Sequence, residues 1–159
     1  MATVEQDLRI EMGSSTDIDS VMVVMESAFG RRFGEAWTRS QLAGILPMSG
    51  VSLMLAREAD RGDAIGFSLF RTVADESELL LLGVLNNHRR RGVGSQLLYD
   101  FLERGRSEGL ARVHLEVRDG NPAVEMYRNA GFSPVGRRRN YYHAPDGGRF
   151  DAITLALQL

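Results

Sequence analysis

Cysteine is absent from this chain of 159 residues. Its absence excludes disulfide frameworks, thiolate metal sites and cysteine nucleophiles, and it makes a reducing compartment the natural setting. The sequence also lacks any apolar run that approaches the ~20 residues of a membrane helix. Its first residues show no basic start followed by an apolar core, as an export signal would. We therefore expect a cytoplasmic protein without a membrane partner.

An excess of positive charge is also missing, because the formal net charge is -2 at pH 7. A protein that binds nucleic acid over much of its surface needs a broad cationic face, so we expect no direct nucleic-acid partner. The three histidines are His88, His114 and His143. None is spaced with carboxylates as a metal site or a catalytic triad requires, so no metal is expected.

The chain contains no internal repeat, low-complexity segment or linker, which predicts a single domain over residues 1–159. Its apolar periodicity and turn signals predict the order β-αα-βββ-α-β-α-ββ, a mixed sheet with helices on its faces. The predicted strands are 8–12, 51–57, 65–73, 79–85, 113–117, 135–142 and 150–157, with a hairpin turn at 60–63. Thr16 and Asp19 are expected to open the first helix, and the pair Thr38 and Gln41 to cap the second before Pro47.

The predicted strand 79–85 is a continuous apolar run, which is typical of a central strand covered on both faces. Gly83 interrupts this run and predicts either a bulge or a close approach by another backbone. After the strand come Arg89-Arg90-Arg91-Gly92-Val93-Gly94 and then a helix. Backbone N–H groups and the positive end of a helix converge on an anion in such an arrangement. The alternative is a plain turn with solubilising arginines.

The glycine spacing of this loop fits neither a Walker loop nor a Rossmann fingerprint. It resembles the Gln/Arg-x-x-Gly-x-Gly/Ala loop of the GNAT acetyltransferases. The similarity extends over residues 78–157 and is especially close to the bacterial ribosomal-protein alanine N-acetyltransferases. It is carried by Leu115-Glu116-Val117-Arg118, Asn121, Tyr127, Gly131-Phe132, Arg138-Arg139-Asn140-Tyr141-Tyr142, Asp146-Gly147 and Asp151-Ala152-Ile153.

The resemblance implies an α/β (α+β) fold, a single GNAT-like domain with a mixed, mostly antiparallel seven-stranded sheet flanked by about four helices. It also implies acetyl-CoA as the cofactor. The pantetheine arm would lie against Leu82, Gly83 and Val84. The pyrophosphate would be surrounded by the loop residues Arg89, Arg90, Arg91, Gly92, Val93, Gly94 and Ser95. Asn121 would touch the cofactor from the far side, or serve as an ordinary helix cap, or do both.

Acetyl transfer to an amine needs a base for the amine proton and an acid for the departing sulfur. By resemblance, Glu116 would be the base, acting through water, and Tyr127 the acid. The competing interpretation of Glu116 is a strand carboxylate paired with an arginine such as Arg118. The competing interpretation of Tyr127 is an aromatic residue of the core. One departure from the family is that the spacing from Asn121 to Tyr127 is a residue shorter, so the helix start could be shifted.

The acceptor would bind between the loop that joins the first two helices and the last hairpin, with Phe29, Tyr141 and Tyr142 as contacts. The resemblance favours the free N-terminus of a protein, such as a ribosomal protein, as the acceptor. Two alternatives stay open: an acetyltransferase of a small amine, such as an amino sugar, polyamine or antibiotic, and a non-catalytic acyl-CoA-binding module. The chain is expected to be a monomer or a homodimer. Arg31 and Arg32 have no role in the family pattern.

Overall fold

The computed structural model describes residues 8–58 and 62–159. The elements follow the predicted order, with two short 3-10 turns added. The strands are β1 (Leu8–Met12), β2 (Val51–Glu58), β3 (Ala64–Val73), β4 (Glu76–Val84), β5 (Arg112–Arg118), β6 (Ser133–His143) and β7 (Arg149–Gln158). The helices are α1 (Ile18–Phe29), α2 (Arg39–Ile45), α3 (Val93–Ser107) and α4 (Ala123–Asn129). The predicted turn at 60–63 includes Asp60 and Arg61, which lie outside the described residues.

The seven strands form one sheet in the order β1-β2-β3-β4-β5-β7-β6. Every neighbouring pair is antiparallel except β4 and β5, which are parallel. The α/β prediction of a mixed, mostly antiparallel sheet with four helices is thereby confirmed. None of the helices in the described ranges is long and apolar enough to cross a membrane.

Helices cover both faces of the sheet, because successive strand residues point to opposite sides. On one face α3 and α4 bury Leu97, Phe101 and Tyr127 in the same core cluster as Met54 and Leu115. On the other face α1 and α2 bury residues such as Val24, Met25 and Leu42 against Leu55 and Phe67. The apolar stripes that predicted the helices are therefore the surfaces that hold them to the sheet.

The expected start of the first helix was wrong. Ser14 and Asp17 form the capping box instead of Thr16 and Asp19, and a 3-10 turn at Ser15–Asp17 precedes α1. The Ser14 backbone N–H donates to Asp17 Oδ2 over 2.9 Å, so the orphan amides are satisfied one turn earlier. At α2 the predicted pair is confirmed: Thr38 N–H donates to Gln41 Oε1 at 2.8 Å, and the helix ends at Ile45 before the proline.

The bulge in β4 lies at Leu80 rather than at Gly83. Leu81 pairs with Leu69 and Leu79 with Phe70, which leaves Leu80 as the extra residue. Gly83 is needed for packing instead, because a Cβ there would lie 3.1 Å from Phe67 Cε1 and 3.2 Å from Ala28 Cβ. The glycine lets α1 approach the sheet closely.

The parallel pairing of β4 and β5 is short. It joins residues 76–79 to residues 112–115, although the strands continue to Val84 and Arg118. Beyond Leu79 and Leu115 the two strands separate within one sheet. This separation opens a gap in the middle of the molecule, and the candidate site is built around it.

Candidate functional site

Two adjoining cavities occupy the gap between β4 and β5. The loop groove, of about 560 Å³, runs from the start of α3 to the start of α4. The strand cleft, of about 110 Å³, lies between the separated strands and reaches the last hairpin. The two share Phe29, Glu35, Leu82, Asn121 and Ala123. Molecules bound in the two cavities could therefore meet.

The loop groove ends at the arginine and glycine loop. Gly92 precedes α3 in a left-handed conformation with φ 79°, and Arg90 also has a positive φ of 64°. The first helical hydrogen bond runs from Gln96 N–H to Gly92 O over 3.0 Å. The amides of Val93, Gly94 and Ser95 consequently have no partner within the helix. Free amides at the positive end of a 15-residue helix form an anion-binding site.

Nearly all residues predicted to bind the cofactor line the loop groove. They are Leu82, Gly83, Val84, Arg89, Arg90, Gly92, Val93, Gly94, Ser95 and Asn121. Arg91 is exposed and is not among the lining residues. Arg89 Nη2 donates to Ala28 O over 2.7 Å, so this arginine ties the loop to the end of α1.

The gap also leaves one edge of β4 without a neighbouring strand. Among the described residues, 81–84 pair with β3 on one edge only, since the pairing with β5 stops at Leu79. Unpaired backbone groups along a strand edge can bind an extended ligand as an additional strand would. Leu82, Gly83 and Val84 lie on this edge and line the loop groove at the same time.

Glu116 points from β5 into the strand cleft, on the face opposite Val113, Leu115 and Val117, as strand alternation predicts. Its side chain is 8% exposed. Thr154 Oγ1 donates to Glu116 Oε2 at 2.6 Å, and Arg138 Nε contacts Oε1 at 2.9 Å. The arginine that pairs with Glu116 is therefore Arg138 from β6 rather than Arg118.

Tyr127 is buried on α4 and lines the strand cleft. Its ring packs edge-on against Phe132 with centroids 5.8 Å apart. Burial raises the pKa of the Tyr127 phenol far above its ordinary value of 10.0. The phenol is protonated at neutral pH and can act only as a proton donor there. Tyr127 is at once a core aromatic and a cleft residue, so the two interpretations are compatible.

Arg118 binds Glu35, which lies in the connection between α1 and α2. The Arg118 Nε to Glu35 Oε1 distance is 3.1 Å, and both side chains are about nine-tenths buried. Asn121 Nδ2 donates to Glu35 Oε2 over 2.9 Å. The Arg118 guanidinium also lies 3.6 Å from the ring centroid of Phe33. These contacts hold the connection against the corner between β5 and α4, at the junction of the two cavities.

Asn121 also caps α4, because its Oδ1 accepts a hydrogen bond from Ala123 N–H at 2.9 Å. The helix starts at Ala123, directly after Pro122. The amide nitrogen of Asn121 is engaged by Glu35. The cap interpretation is therefore correct, while the predicted cofactor contact stays a prediction.

The last hairpin carries Tyr141 and Tyr142 to the strand cleft. Arg138 pairs with Ala152 and Tyr142 with Phe150, so three residues of β6 face Asp151 alone. Asn140 takes a φ of 52° there, and its N–H donates to Asp151 Oδ1 at 2.9 Å. This hydrogen bond, followed by the one from Arg137, lowers the pKa of Asp151. The bulge leaves the rings of Tyr141 and Tyr142 perpendicular, 4.9 Å apart.

The sequence interpretation missed three residues of the site. Glu35 and Glu78 line the strand cleft, and Thr154 binds Glu116. Glu35 gives no local signal, since its partners lie 83 and 86 positions away. The alternation of side chains along β4 could have assigned Glu78 to one face of the sheet. Only the pairing of Glu78 with His114 of β5 shows that this position lies next to the strand cleft. Among the residues described, no group of three or more side chains could hold a metal ion.

Residues 20–132 match the family model described as "Acetyltransferase (GNAT) family". The chain is 35% identical over 100 residues to the ribosomal protein bS18-alanine N-acetyltransferase of Haemophilus influenzae. The aligned region covers 63% of this chain and 68% of that protein. It is 28% identical over 145 residues to the enzyme of that name from Haemophilus ducreyi, covering 86% and 100%. The crystal structure of the ribosomal-protein-S18-alanine N-acetyltransferase from Escherichia coli superposes with a TM-score of 0.85 at 27% identity, covering 96% and 94% of the two chains.

Proposed function

Because the chain belongs to the acetyltransferase (GNAT) family, we propose that it transfers the acetyl group of acetyl-CoA to the free α-amino group of a protein. The relatives named for ribosomal protein bS18 make a ribosomal protein the favoured acceptor, which would place the reaction in the cytoplasm. The observation that carries the proposal is the meeting of the loop groove and the strand cleft at the gap between β4 and β5.

The loop groove fits a long ligand with a charged end. The free amides of Val93, Gly94 and Ser95 would hold the pyrophosphate, because they are donors at a positive helix end. A Cβ added to Gly92 would meet no heavy atom within 4 Å, so the groove is open there. The open edge of β4 at Leu82 would pair with the amides of the pantetheine arm. Acetyl-CoA supplies the activated acetyl thioester when it is bound.

The strand cleft supplies the groups that move protons. Glu116 would take the proton of the acceptor amine through water, as the family resemblance implies, while Arg138 and Thr154 hold its carboxylate in place. Tyr127, whose buried phenol stays protonated, would donate to the departing sulfur. The two side chains come from β5 and α4 and line the same cavity. Both roles are the ones that the family resemblance implies.

The acceptor would enter beside the last hairpin. Tyr141 and Tyr142 form one wall of the strand cleft, and Phe29 and Trp37 contribute to the other side. The strand cleft, of about 110 Å³, is much smaller than the loop groove and has aromatic walls, so we expect a small first residue to fit best. The walls come from α1, β4, β5, α4 and β6, so the proposal treats residues 1–159 as one catalytic domain.

The test is acetyl-CoA turnover across short peptides that differ only in their first residue. Peptides that begin with Ala or Ser should react faster than matched peptides that begin with Leu or Phe, because the cleft is small. The same Ala peptide with a blocked terminus is the control, and it should not react. Faster turnover of spermidine, an aminoglycoside or a lysine side chain would replace the proposal by the small-amine alternative. Acetyl-CoA binding without turnover of any amine would indicate a non-catalytic module.

A further inference from the structure

We propose that Glu78 binds the acceptor's ammonium group in the strand cleft and so selects for a cationic amine. The inference rests on the proposed function and deepens it, because it assigns to one residue the first contact with the amine. Glu78 lies at the end of the paired part of β4, where the cleft begins. It is separate from the proton transfers assigned to Glu116 and Tyr127.

The acceptor brings a positive charge into the cleft. The pKa of an α-amino group is about 7.7–8.0, so most N-termini are ammonium ions at pH 7. An ion that leaves water for a partly enclosed cavity needs an opposite charge nearby, since desolvation is otherwise costly. In the strand cleft, a carboxylate is the group that can provide that charge.

Three carboxylates line the strand cleft: Glu35, Glu78 and Glu116. Glu35 is bound by Arg118 and by the amide of Asn121. Glu116 is bound by Arg138 and by the hydroxyl of Thr154. In these two, an arginine offsets the negative charge and both oxygens hold a donor. In each of them the positive charge of the arginine therefore leaves little net negative charge to attract an incoming cation.

Glu78 is the cleft carboxylate that has no arginine within ion-pair distance among the described residues, although Arg71 is its register partner on β3. Within the same part of the chain, the one group in ion-pair range is His114, whose Nε2 lies 3.7 Å from Glu78 Oε2, beyond hydrogen-bond distance. His114 in turn lies 3.9 Å from Glu76, which is 3.8 Å from Arg112. The Glu78 side chain is 38% exposed, so solvent and substrate reach it.

Glu78 also lies beside the residues expected to contact the acceptor. It pairs in register with His114, two residues before Glu116 on the same face of β5. Burial, followed by the charges of Glu116 and Glu78, raises the pKa of Tyr141. The Glu78 charge is therefore felt at the aromatic wall of the strand cleft. An ammonium between Tyr141 and Glu116 would have Glu78 as its free counter-ion.

The experiment is a cycle that removes the charge from each partner in turn. The probes are a short peptide that begins with Ala and its desamino analogue, which has the same length but no terminal ammonium. Binding of both to the CoA-bound enzyme is measured by calorimetry for the wild type and for Glu78→Gln. Glu76→Gln is the matched control, because it removes a charge two residues away on the same strand, outside the cleft lining.

The wild type and Glu76→Gln should prefer the ammonium peptide by about fivefold, the size of one partly exposed ion pair at its upper end. In Glu78→Gln the preference should disappear, while binding of the desamino peptide stays unchanged. In turnover assays Glu78→Gln should raise the peptide KM by a similar factor and leave kcat within about twofold, whereas Glu116→Gln should lower kcat. The KM effect should vanish near pH 10, where the amine is neutral in solution.

The charged or titratable groups around Glu78 are Arg71, its register partner on β3, and His114, Glu76, Tyr141 and Glu116. The pH series is therefore repeated in a His114→Gln background to separate the titration of that imidazole. An ammonium preference that Glu78→Gln retains would overturn the inference, as would a loss of kcat alone. Absence of acetyl transfer by the wild type to any peptide would instead contradict the proposed function. The two failures are thus distinguishable.

Discussion

Replacing Arg118 by Met tests the contacts that join the α1–α2 connection to β5. Arg118 pairs with Glu35 at 3.1 Å and lies 3.6 Å from the Phe33 ring centroid. The variant keeps a long side chain but leaves the Glu35 carboxylate buried with Asn121 as its remaining partner. The connection it holds includes residues of both cavities. We expect loss of stability and a weaker acceptor site.

The size of the loss follows from burial. Removing one partner of a buried ion pair costs roughly 3–5 kcal/mol, because the other charge is left without compensation. The hydrogen bond from Asn121 to Glu35 remains, so the lower end, about 3 kcal/mol, is expected. For a domain of this size that corresponds to a fall in Tm of about 6–12 °C. An exposed pair should cost far less, about 0.5 kcal/mol or under.

Urea unfolding measures this directly, with Arg106→Met as the matched control. Arg106 pairs with Glu103 at 2.9 Å, but both side chains are about half exposed. Combining Arg118→Met with Glu35→Gln should recover part of the loss, because the neutral amide introduced at this position would leave no charge buried there. If Arg118→Met costs no more than Arg106→Met, the connection is not held by this pair and the reasoning is refuted.

Two further predictions concern the cofactor and the proposed acid. Gly94→Val should abolish the rise in Tm that acetyl-CoA causes, since a Cβ there would already lie 3.4 Å from Met126 Sδ and the methyls would fill the loop groove; an unchanged ligand-induced shift would contradict this binding site. Tyr127→Phe should lower kcat by about 10²-fold without changing acetyl-CoA affinity. Because the pKa of Tyr127 is raised in the fold, its contribution to stability is complete below the ordinary phenol pKa of 10.0 and declines as the pH rises above it. The Phe variant should therefore lose less stability between pH 8 and 11 in denaturant titrations, and an identical decline in both proteins would argue against the buried phenol.

Local patterns in the sequence were sufficient to predict the order of the elements and the position of the arginine and glycine loop before α3. Apolar residues at helical spacing and in continuous strand runs predict which side chains are buried, because burial removes apolar surface from water. The free amides at this helix start were predictable because they are backbone groups at adjacent positions, and only glycine spacing and a helix start are needed to expose them. The cap at Asn121 was local in the same sense, since its acceptor and donor are two residues apart.

Contacts between distant segments were decided by the tertiary structure alone. The gap between β4 and β5 depends on where a parallel pairing stops, and no residue marks that point in the sequence. Likewise, one interpretation of Glu116 paired it with an arginine such as its neighbour Arg118, whereas the register of β6 and β7 brings Arg138 to it. Arg118 is then free to bind Glu35, 83 positions earlier. Short-range periodicity determines which face a side chain occupies, whereas the partner that it meets there depends on strand register and on how the connections between elements pack.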